Sequence, residues 1–357
     1  MDIKGLPLKL LGTLDRLYAD APLLRLGASD RLAVFSDLHM GDGGRRDEFA
    51  PNADVVMAAM RRHYLERGYI LVLNGDIEDL AAFPLAGIAT RWLQVYALWQ
   101  EFADRGRLFK LAGNHDVSLL LRRPEDLPFP VSESLRVEIG AKKLWLFHGH
   151  QVARLDWVFQ AVGTFFLRGL LHPLGIGNYT AARSSSRRFH GEKRAYLPAR
   201  ANGLLAVIGH THRPLFESLS RLDTVKFEIE SLCRSFPAAA EAERAGLRER
   251  MEILKREFIA QQRRDRHAQQ RENLYHEGPL LPCLFNSGSG IGRHGATAIE
   301  IADGRIALVI WSDRRRSSQY SESSGYAPQR LDGSDFYRVV LKDEDLDYVF
   351  ARIELLR

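Results

Sequence analysis

The chain of 357 residues is long enough for two domains, or for one large domain that carries insertions. Hydrophobic residues make up 45% of it and charged residues 27%, a balance that argues against a disordered, collagen-like or multi-span membrane protein. The net charge of +5 suits partners that carry phosphate, such as phosphorylated small molecules, an anionic membrane surface or nucleic acid.

The amino-terminal sequence and the cysteine content indicate where the protein is located. Charged residues and Pro7 interrupt the start of the chain, which therefore does not resemble a signal peptide. Cys233 and Cys283 are too few for a disulfide framework, so we expect a reducing, cytoplasmic environment. The apolar run at 157–176 contains Arg168 and other polar residues, and we expect a soluble or interfacial segment with at most peripheral contact to the inner face of a membrane.

Residues 1–30 are predicted to form an N-terminal helical extension, and the main domain is expected at 31–312. Five short apolar runs in this domain each end in a cluster of polar residues. They are RLAVFSDLH at 31–39, YILVLNGD at 69–76, RLFKLAGNHD at 107–116, KKLWLFHGH at 143–150 and LLAVIGHTH at 204–212. Helical patterns at 53–67 and 88–102 separate the early runs, which predicts an α/β fold. Ligands of such folds bind beyond the carboxyl ends of the strands, so the clusters should converge on one site.

Two insertions and a tail complete the predicted organisation. The first insertion, at about 151–203, joins the apolar run to a basic stretch, an arrangement that fits either a buried helix followed by a solvated basic loop or a lid over the substrate. Its candidate substrate-binding residues are Arg183, Arg187, Arg188, Lys193 and Arg194. The second insertion, at about 217–282, contains a charged helix at 238–272. The tail at 313–357 is predicted to open with a polar loop and to end in a helix.

The polar clusters carry the side chains of a metal site. They supply Asp37, His39, Asp76, Asn114, His115, Asp116, His148, His150, His210 and His212. Imidazole and carboxylate groups together suit first-row divalent metals, and one carboxylate can bridge two of them. Alternate residues of a strand face opposite ways, so pairs spaced i, i+2 must lie beyond the strand end, where a loop can turn both inward.

The motifs D-x-H, G-D, G-N-H-D, H-G-H and G-H-T-H occur here in the order of the calcineurin-like metallophosphoesterases. The chain resembles that family over about 31–216 and 284–311. The resemblance implies a four-layer α/β/β/α sandwich with helical insertions and a two-metal site at the sheet edge. It also implies hydrolysis of a phosphomonoester or phosphodiester by attack of a metal-bridging hydroxide.

The resemblance assigns the ligands to two groups that share one bridging residue. One metal would be held by Asp37, His39 and His212, the other by Asn114, His148 and His210, with Asp76 as the bridge. Manganese is the first expectation for both divalent ions, and iron, zinc or nickel are alternatives because all accept nitrogen and oxygen ligands.

Three further residues of the motifs are expected to take part in catalysis or in substrate binding. His115 matches the family residue that stabilises the phosphoryl group or protonates the leaving oxygen, and Asp116 is expected to orient it. His150, the second histidine of H-G-H, is expected to contact the substrate. Asn286, in the glycine-rich turn at 286–295, is a candidate for supporting the site.

The substrate stays open among several classes. The basic and apolar insertion before G-H-T-H-R-P resembles the bacterial UDP-diacylglucosamine pyrophosphohydrolases, although His115 and His150 depart from their motifs. A nuclease is a second alternative, but the helix at 238–272 is far too short for the coiled-coil arm of DNA-repair phosphodiesterases. A catalytically inactive scaffold is the alternative from another class, and the intact set of seven ligands argues against it.

Overall fold

The computed structural model describes residues 8–152, 185–218, 225, 229, 232–233, 236–238, 241–265, 281–291 and 295–357. The apolar run at 157–176 and Arg183 lie outside the described residues, as do the side chains of Arg187 and Arg188. The chain divides into a larger unit, Met1–Phe216 with Cys283–Leu355, and a smaller unit at Glu217–Pro282.

The larger unit is built on two sheets. In chain order the described strands are Leu23–Leu26 (β1), Leu32–Phe35 (β2), Ile70–Asn74 (β3), Leu108–Leu111 (β4), Val131–Ser132 (β5), Ser134–Ile139 (β6), Lys142–Phe147 (β7), Leu205–Ile208 (β8), Leu284–Asn286 (β9), Ala296–Ala302 (β10), Arg305–Asp313 (β11), Gln329–Arg330 (β12) and Phe336–Asp345 (β13). One sheet has the order β1-β6-β7-β8-β9, and the other has β12-β13-β11-β10-β2-β3-β4-β5.

Helices accompany both sheets. The described α-helices are Leu8–Ala19 (α1), Ala53–Ala59 (α2), Leu85–Arg91 (α3), Leu93–Ala103 (α4), Ser185–Asn202 (α5), Glu241–Asp265 (α6), Arg314–Ser324 (α7) and Leu346–Leu356 (α8). A π-helical turn, Met60–Leu65, continues α2. The mixed α/β architecture with two sheets and helices confirms the predicted fold class. Among the helices in the described ranges, none has the length and apolar character needed to cross a bilayer.

Because neighbouring strands run parallel, the polar clusters at their carboxyl ends lie at the same edge of the two sheets. Strands β2, β3 and β4 run parallel in one sheet, and β7, β8 and β9 run parallel in the other. Buried polar groups join the two sheets at the ends of these strands. The side-chain amide of Asn74 donates to the carbonyls of Phe147 at 3.3 Å and Val207 at 3.4 Å. The hydroxyls of Ser36 and Ser287 lie 2.7 Å apart. The loops that follow β2, β3, β7 and β8 therefore meet at this junction.

Both ends of the chain differ from the prediction. The segment at 1–30 contains α1 and also contributes β1, which pairs in parallel with β6 at the edge of a sheet. The predicted polar loop after Ser312 is helix α7, because Asp313 caps its first turn by accepting from the Arg316 amide at 3.0 Å. Gly325, with φ of 80°, ends that helix. Strand β13 then pairs with β11, so the region after 312 extends the sheet instead of forming a separate tail.

Candidate metal centre

The ligand loops depend on an uncommon backbone conformation. The candidate ligands Asp37, His39, Asp76, His210 and His212 all have φ between 49° and 65°. This left-handed region disfavours residues with a β-carbon, and such residues concentrate at functional sites. Backbone hydrogen bonds between loops stabilise this conformation. The Asp37 amide donates to the Gly75 carbonyl and the His39 amide to the Asp76 carbonyl, both at 3.0 Å. The turned backbone allows both members of the Asp37–His39 and His210–His212 pairs to face the site.

The first group of ligands gathers around Asp37. Its Oδ1 lies 3.1 Å from His212 Nε2, and the Nε2 atoms of His39 and His212 are 3.2 Å apart. Asp76 Oδ2 lies 3.8 Å from His39 Nε2. Ligand atoms of these four residues all fall within 4.8 Å of one another, which is close enough to surround one cation.

The second group shares Asp76 with the first. Asp76 Oδ2 lies 3.2 Å from His148 Nε2, and ligand atoms of Asp76, His148 and His210 fall within 4.8 Å of one another. The structure thus brings together six of the seven predicted ligands, with the expected bridging residue between two groups. Asn114 follows β4 on the adjoining loop but is exposed, and its role as a ligand stays a prediction.

The donor atoms fit a bound cation. Among the described residues, the buried atoms Asp37 Oδ1 and His148 Nε2 form no hydrogen bond, and the polar atoms at 3.1 and 3.2 Å from them belong to other candidate ligands. His148 Nδ1 lies 2.9 Å from the Asn74 carbonyl and donates to it, which leaves the Nε2 lone pair for a metal. Burial lowers the pKa of His39 and of His210 to about 4, so both rings are neutral near pH 7, as metal ligands must be.

The carboxylates of the site attract positive charge. Burial alone would raise the pKa of Asp76, but the neighbouring His148 and His115 hold it well below its usual range. Burial would likewise lower the pKa of His148, yet the carboxylates of Asp76 and Asp37 outweigh burial and raise it to about 10. A buried centre that holds a proton this tightly presents the electrostatic environment that a divalent cation requires.

His115 lies at the rim of the first group. Its ring centroid is 4.5 Å from that of His39, and its backbone amide donates to Asp76 Oδ1 at 2.7 Å. Its Nδ1 lies 2.8 Å from Asp79 Oδ1. Burial lowers the pKa of His115, but Asp76 and Asp79 outweigh burial and raise it to about 9. These carboxylates therefore favour the protonated form of the ring, which is able to donate a proton.

The expected pairing of Asp116 with His115 is wrong. Asp116 accepts instead from the backbone amides of Gly113 at 2.6 Å and Ile77 at 2.8 Å, and so it joins the loops after β3 and β4. Asp79 takes the predicted orienting role. The sequence feature that could have indicated Asp79 is its position three residues after Asp76 in G-D-I-E-D, on the loop that carries a predicted metal ligand.

The candidate substrate-binding residues fall in different places. His150 is buried beside the second group, with its ring centroid 5.5 Å from that of His148. Arg194 lies on α5 and donates from Nη1 to the Val152 carbonyl at 3.4 Å, next to the loop that carries His150. Lys193 lies beside it, partly buried, and burial lowers its pKa. The contact of Arg194 holds a loop, and substrate binding by these residues stays a prediction.

The comparison with family models agrees with this geometry. A family model described as calcineurin-like phosphoesterase matches residues 30–214, just over half of the chain. Among solved structures, the chain is similar to a conserved uncharacterised protein from Streptococcus pneumoniae TIGR4, described as a predicted phosphoesterase. The identity is 11%, the match covers 87% of this chain and 98% of that chain, and the TM-score is 0.32. The search of curated proteins gave no match.

Proposed function

Because this chain belongs to the calcineurin-like phosphoesterase family, and is thus a hydrolase of phosphoric esters, we propose that it uses two metal ions to hydrolyse phosphomonoesters or phosphodiesters. The observation that carries the proposal is the position of Asp76, whose ligand atom lies within 4.8 Å of the ligand atoms of both groups. A carboxylate placed between two such groups is suited to bridge two cations. The net charge of +5 and the two cysteines support phosphorylated substrates and a cytoplasmic location.

Each residue of the site has a defined task in this proposal. Asp37, His39 and His212 would hold one ion, and His148 and His210, with Asn114, the other. When bound, two divalent ions supply an activated water as nucleophile and neutralise charge on the phosphoryl oxygens. His115 delivers a proton to the leaving oxygen, while Asp79 holds its Nδ1 side and leaves Nε2 for that transfer. Asp116 keeps the two loops together through their backbone amides.

The proposal is tested with two separate variants, one that replaces the bridging residue Asp76 and one that replaces the ligand His210. Asp76→Asn and His210→Ala should abolish hydrolysis of p-nitrophenyl phosphate and its bis ester in manganese, because each variant loses a ligand of the second group. Circular dichroism should show that both variants remain folded, and equilibrium dialysis should show reduced manganese binding. Glu101→Ala, in an exposed pair with Arg61, is the control that should behave as wild type. Turnover near that of wild type in both site variants would refute the proposal.

A screen of phosphoesters would then assign the substrate. Monoesters, diesters, UDP-sugar lipids and single-stranded DNA should each be offered to the wild-type protein with manganese, iron, zinc or nickel. The proposal expects the simple monoesters or diesters to be hydrolysed fastest. Preference for UDP-sugar lipids would instead support the pyrophosphohydrolase alternative, and preference for DNA would support a nuclease.

A further inference from the structure

A buried carboxylate on helix α5 contacts the loop that carries His210 and His212. Glu192 is 5% exposed. Its Oε1 accepts from Thr211 Oγ1 at 2.9 Å and from Arg213 Nε at 3.2 Å. The Nη2 of Arg213 forms an ion pair with Glu192 Oε2. One carboxylate therefore binds the residues on both sides of His212.

His212 needs such support from its neighbours in sequence. A metal-binding histidine is usually oriented by a hydrogen bond from its second ring nitrogen, as His148 is by the Asn74 carbonyl. In the part of the chain that the structure describes, the buried Nδ1 of His212 has no hydrogen-bond partner. The direction of the ring is consequently set by the backbone and by the residues that flank it.

That backbone is in a conformation that requires external support. His212 has φ of 54° and His210 has φ of 65°, and left-handed residues persist only where the surroundings hold them. On the other side of the loop, the side-chain amide of Asn286 donates to the Gly209 carbonyl at 2.8 Å and to Thr211 Oγ1 at 3.0 Å. Thr211 in turn donates a hydrogen bond from its hydroxyl to Glu192. The loop is thus held between β9 and α5.

We propose that Glu192 is a positioning residue for His212, through which helix α5 sets the affinity of the first ligand group for its metal. This proposal rests on the function proposed above. Helix α5 lies within the predicted insertion at 151–203, so part of that insertion supports the metal ligands. Arg194, two residues along the same helix, contacts the loop after β7 through the Val152 carbonyl, so α5 holds both loops that carry the H-G-H and G-H-T-H motifs.

The experiment measures manganese binding directly and does not depend on turnover. Equilibrium dialysis of Glu192→Ala should show one of the two sites weakened by about 10- to 100-fold, the usual cost of losing a group that orients a metal ligand. Glu192→Gln should lie between Glu192→Ala and wild type, because its amide oxygen still accepts from Thr211 but lacks the charge that Arg213 pairs with. Activity of Glu192→Ala should return towards the wild-type rate at saturating manganese. Glu101→Ala serves as the matched control.

The outcomes separate this proposal from the one on which it rests. Wild-type manganese affinity in Glu192→Ala and Glu192→Gln, with binding lost in Asp76→Asn, would overturn the role of Glu192 alone. Absence of binding and hydrolysis in the wild-type protein would overturn the proposed function. If Glu192→Ala does not fold, Thr211→Val is the second test: it removes the hydroxyl that binds Glu192, together with the bond from Asn286, but leaves the Glu192–Arg213 pair. Thr211→Val should also weaken one site, and unchanged affinity would contradict the proposal.

Discussion

Five candidate ligands adopt a backbone conformation that residues with a β-carbon avoid, and their side chains meet in a buried centre. This explains how pairs spaced i, i+2 can serve one site after a strand whose pleat would separate them. A left-handed residue costs about 1–2 kcal/mol when it carries a β-carbon. The ligand loops therefore carry a conformational cost that the surrounding hydrogen bonds, and a bound metal, must offset.

That cost can be measured by comparing two truncations at the same position. His39→Gly and His39→Ala both remove the imidazole, but only glycine relieves the left-handed backbone at φ 49°. Glycine loses up to about 1 kcal/mol through backbone entropy, so His39→Gly should equal or exceed His39→Ala in stability by up to about 1 kcal/mol. Urea unfolding with a chelator present would give the free energies.

His148 is the internal control for this comparison. Its φ is outside the left-handed region, so glycine offers no relief there. His148→Gly should be less stable than His148→Ala by about 0.5–1 kcal/mol. The same order of stability at both positions would show that the backbone at His39 stores no strain.

His115 and Asp79 should act as one unit in turnover. His115→Ala should lower kcat by about 10²–10⁴-fold, the usual contribution of a positioned proton donor. Asp79→Asn should lower kcat less, since the ring remains but loses its charged partner at 2.8 Å. The double variant should be no slower than His115→Ala, because Asp79 acts through that ring.

Steady-state kinetics and dialysis against manganese would check this prediction, with the exposed Asp54→Asn as the control. All three site variants should retain the metal content of wild type. Because ligand atoms of His39, Asp79 and His115 also lie within 4.8 Å of one another, loss of metal in parallel with turnover would mean that these residues bind a metal.

The residues of the centre could be predicted from sequence, but not all of their contacts. Asp37, His148 and His210 belong to short motifs in which the ligand types and spacing carry the chemistry. The partner of His115 could not be predicted from adjacency. Asp116 follows His115 in the chain, but its carboxylate accepts hydrogen bonds from the backbone amides of Gly113 and Ile77. The residue that contacts the His115 ring is Asp79, which lies on another loop. Such contacts between loops depend on packing.

At the scale of the elements, continuous apolar runs predicted the strands that position the site. Strands β2, β3 and β8 are buried throughout, as are the last four residues of β7, and these buried stretches are apolar apart from Asn74. Strand β13 is only partly buried, and its sequence FYRVVLKDED carries four charges in its last four positions. Helix α7 is polar throughout and begins at the Asp313 cap. Elements with few apolar residues show only weak hydrophobic periodicity, and the sequence therefore did not predict β13 or α7.

A buried ion pair joins β4 to the loop after β3. Lys110 Nζ pairs with Glu78 Oε1, and the side chains are 2% and 0% exposed. The Tyr96 hydroxyl, on α4, also donates to Glu78 Oε1, at 2.7 Å. Glu78 lies between Asp76 and Asp79 in sequence, so the pair holds the loop that carries the bridging ligand.

Breaking this pair from one side should be costly. Lys110→Met should reduce the free energy of unfolding by about 3–5 kcal/mol, because it leaves the Glu78 carboxylate buried and unpaired. The double variant Lys110→Met with Glu78→Gln should recover part of that loss, since no uncompensated charge remains. Urea unfolding in the presence of a chelator measures both.

The exposed pair of Arg61 and Glu101 is the matched control, and its removal should change stability little. If the double variant were as unstable as the sum of Lys110→Met and Glu78→Gln, the two residues would not be coupled and the pair would not hold the loop.

At the scale of the whole molecule, the residues of the larger unit that flank the smaller unit in sequence are hydrogen-bonded to each other. Leu215 and Asn286 form an antiparallel bridge, with the Asn286 amide donating to the Leu215 carbonyl at 2.9 Å and the Leu215 amide donating back at 3.2 Å. Two such residues lie about 5 Å apart between their α-carbons. A short turn can therefore replace the smaller unit without moving β9 or the G-H-T-H loop.

Excision of 219–280 with a four-residue glycine and serine linker should leave the metal centre intact. All seven predicted ligands and Glu192 lie in the larger unit, and Asn286 keeps its own bonds to Gly209 and Thr211. The shortened protein should bind manganese and hydrolyse p-nitrophenyl phosphate within about threefold of the wild-type rate, since Leu215 and Asn286 are already paired and a short loop between nearby ends costs little to close. A variant that exchanges the same segment for a linker of twenty residues controls for linker strain. Loss of manganese binding in both shortened proteins, while each remains folded by circular dichroism, would show that the smaller unit supports the centre.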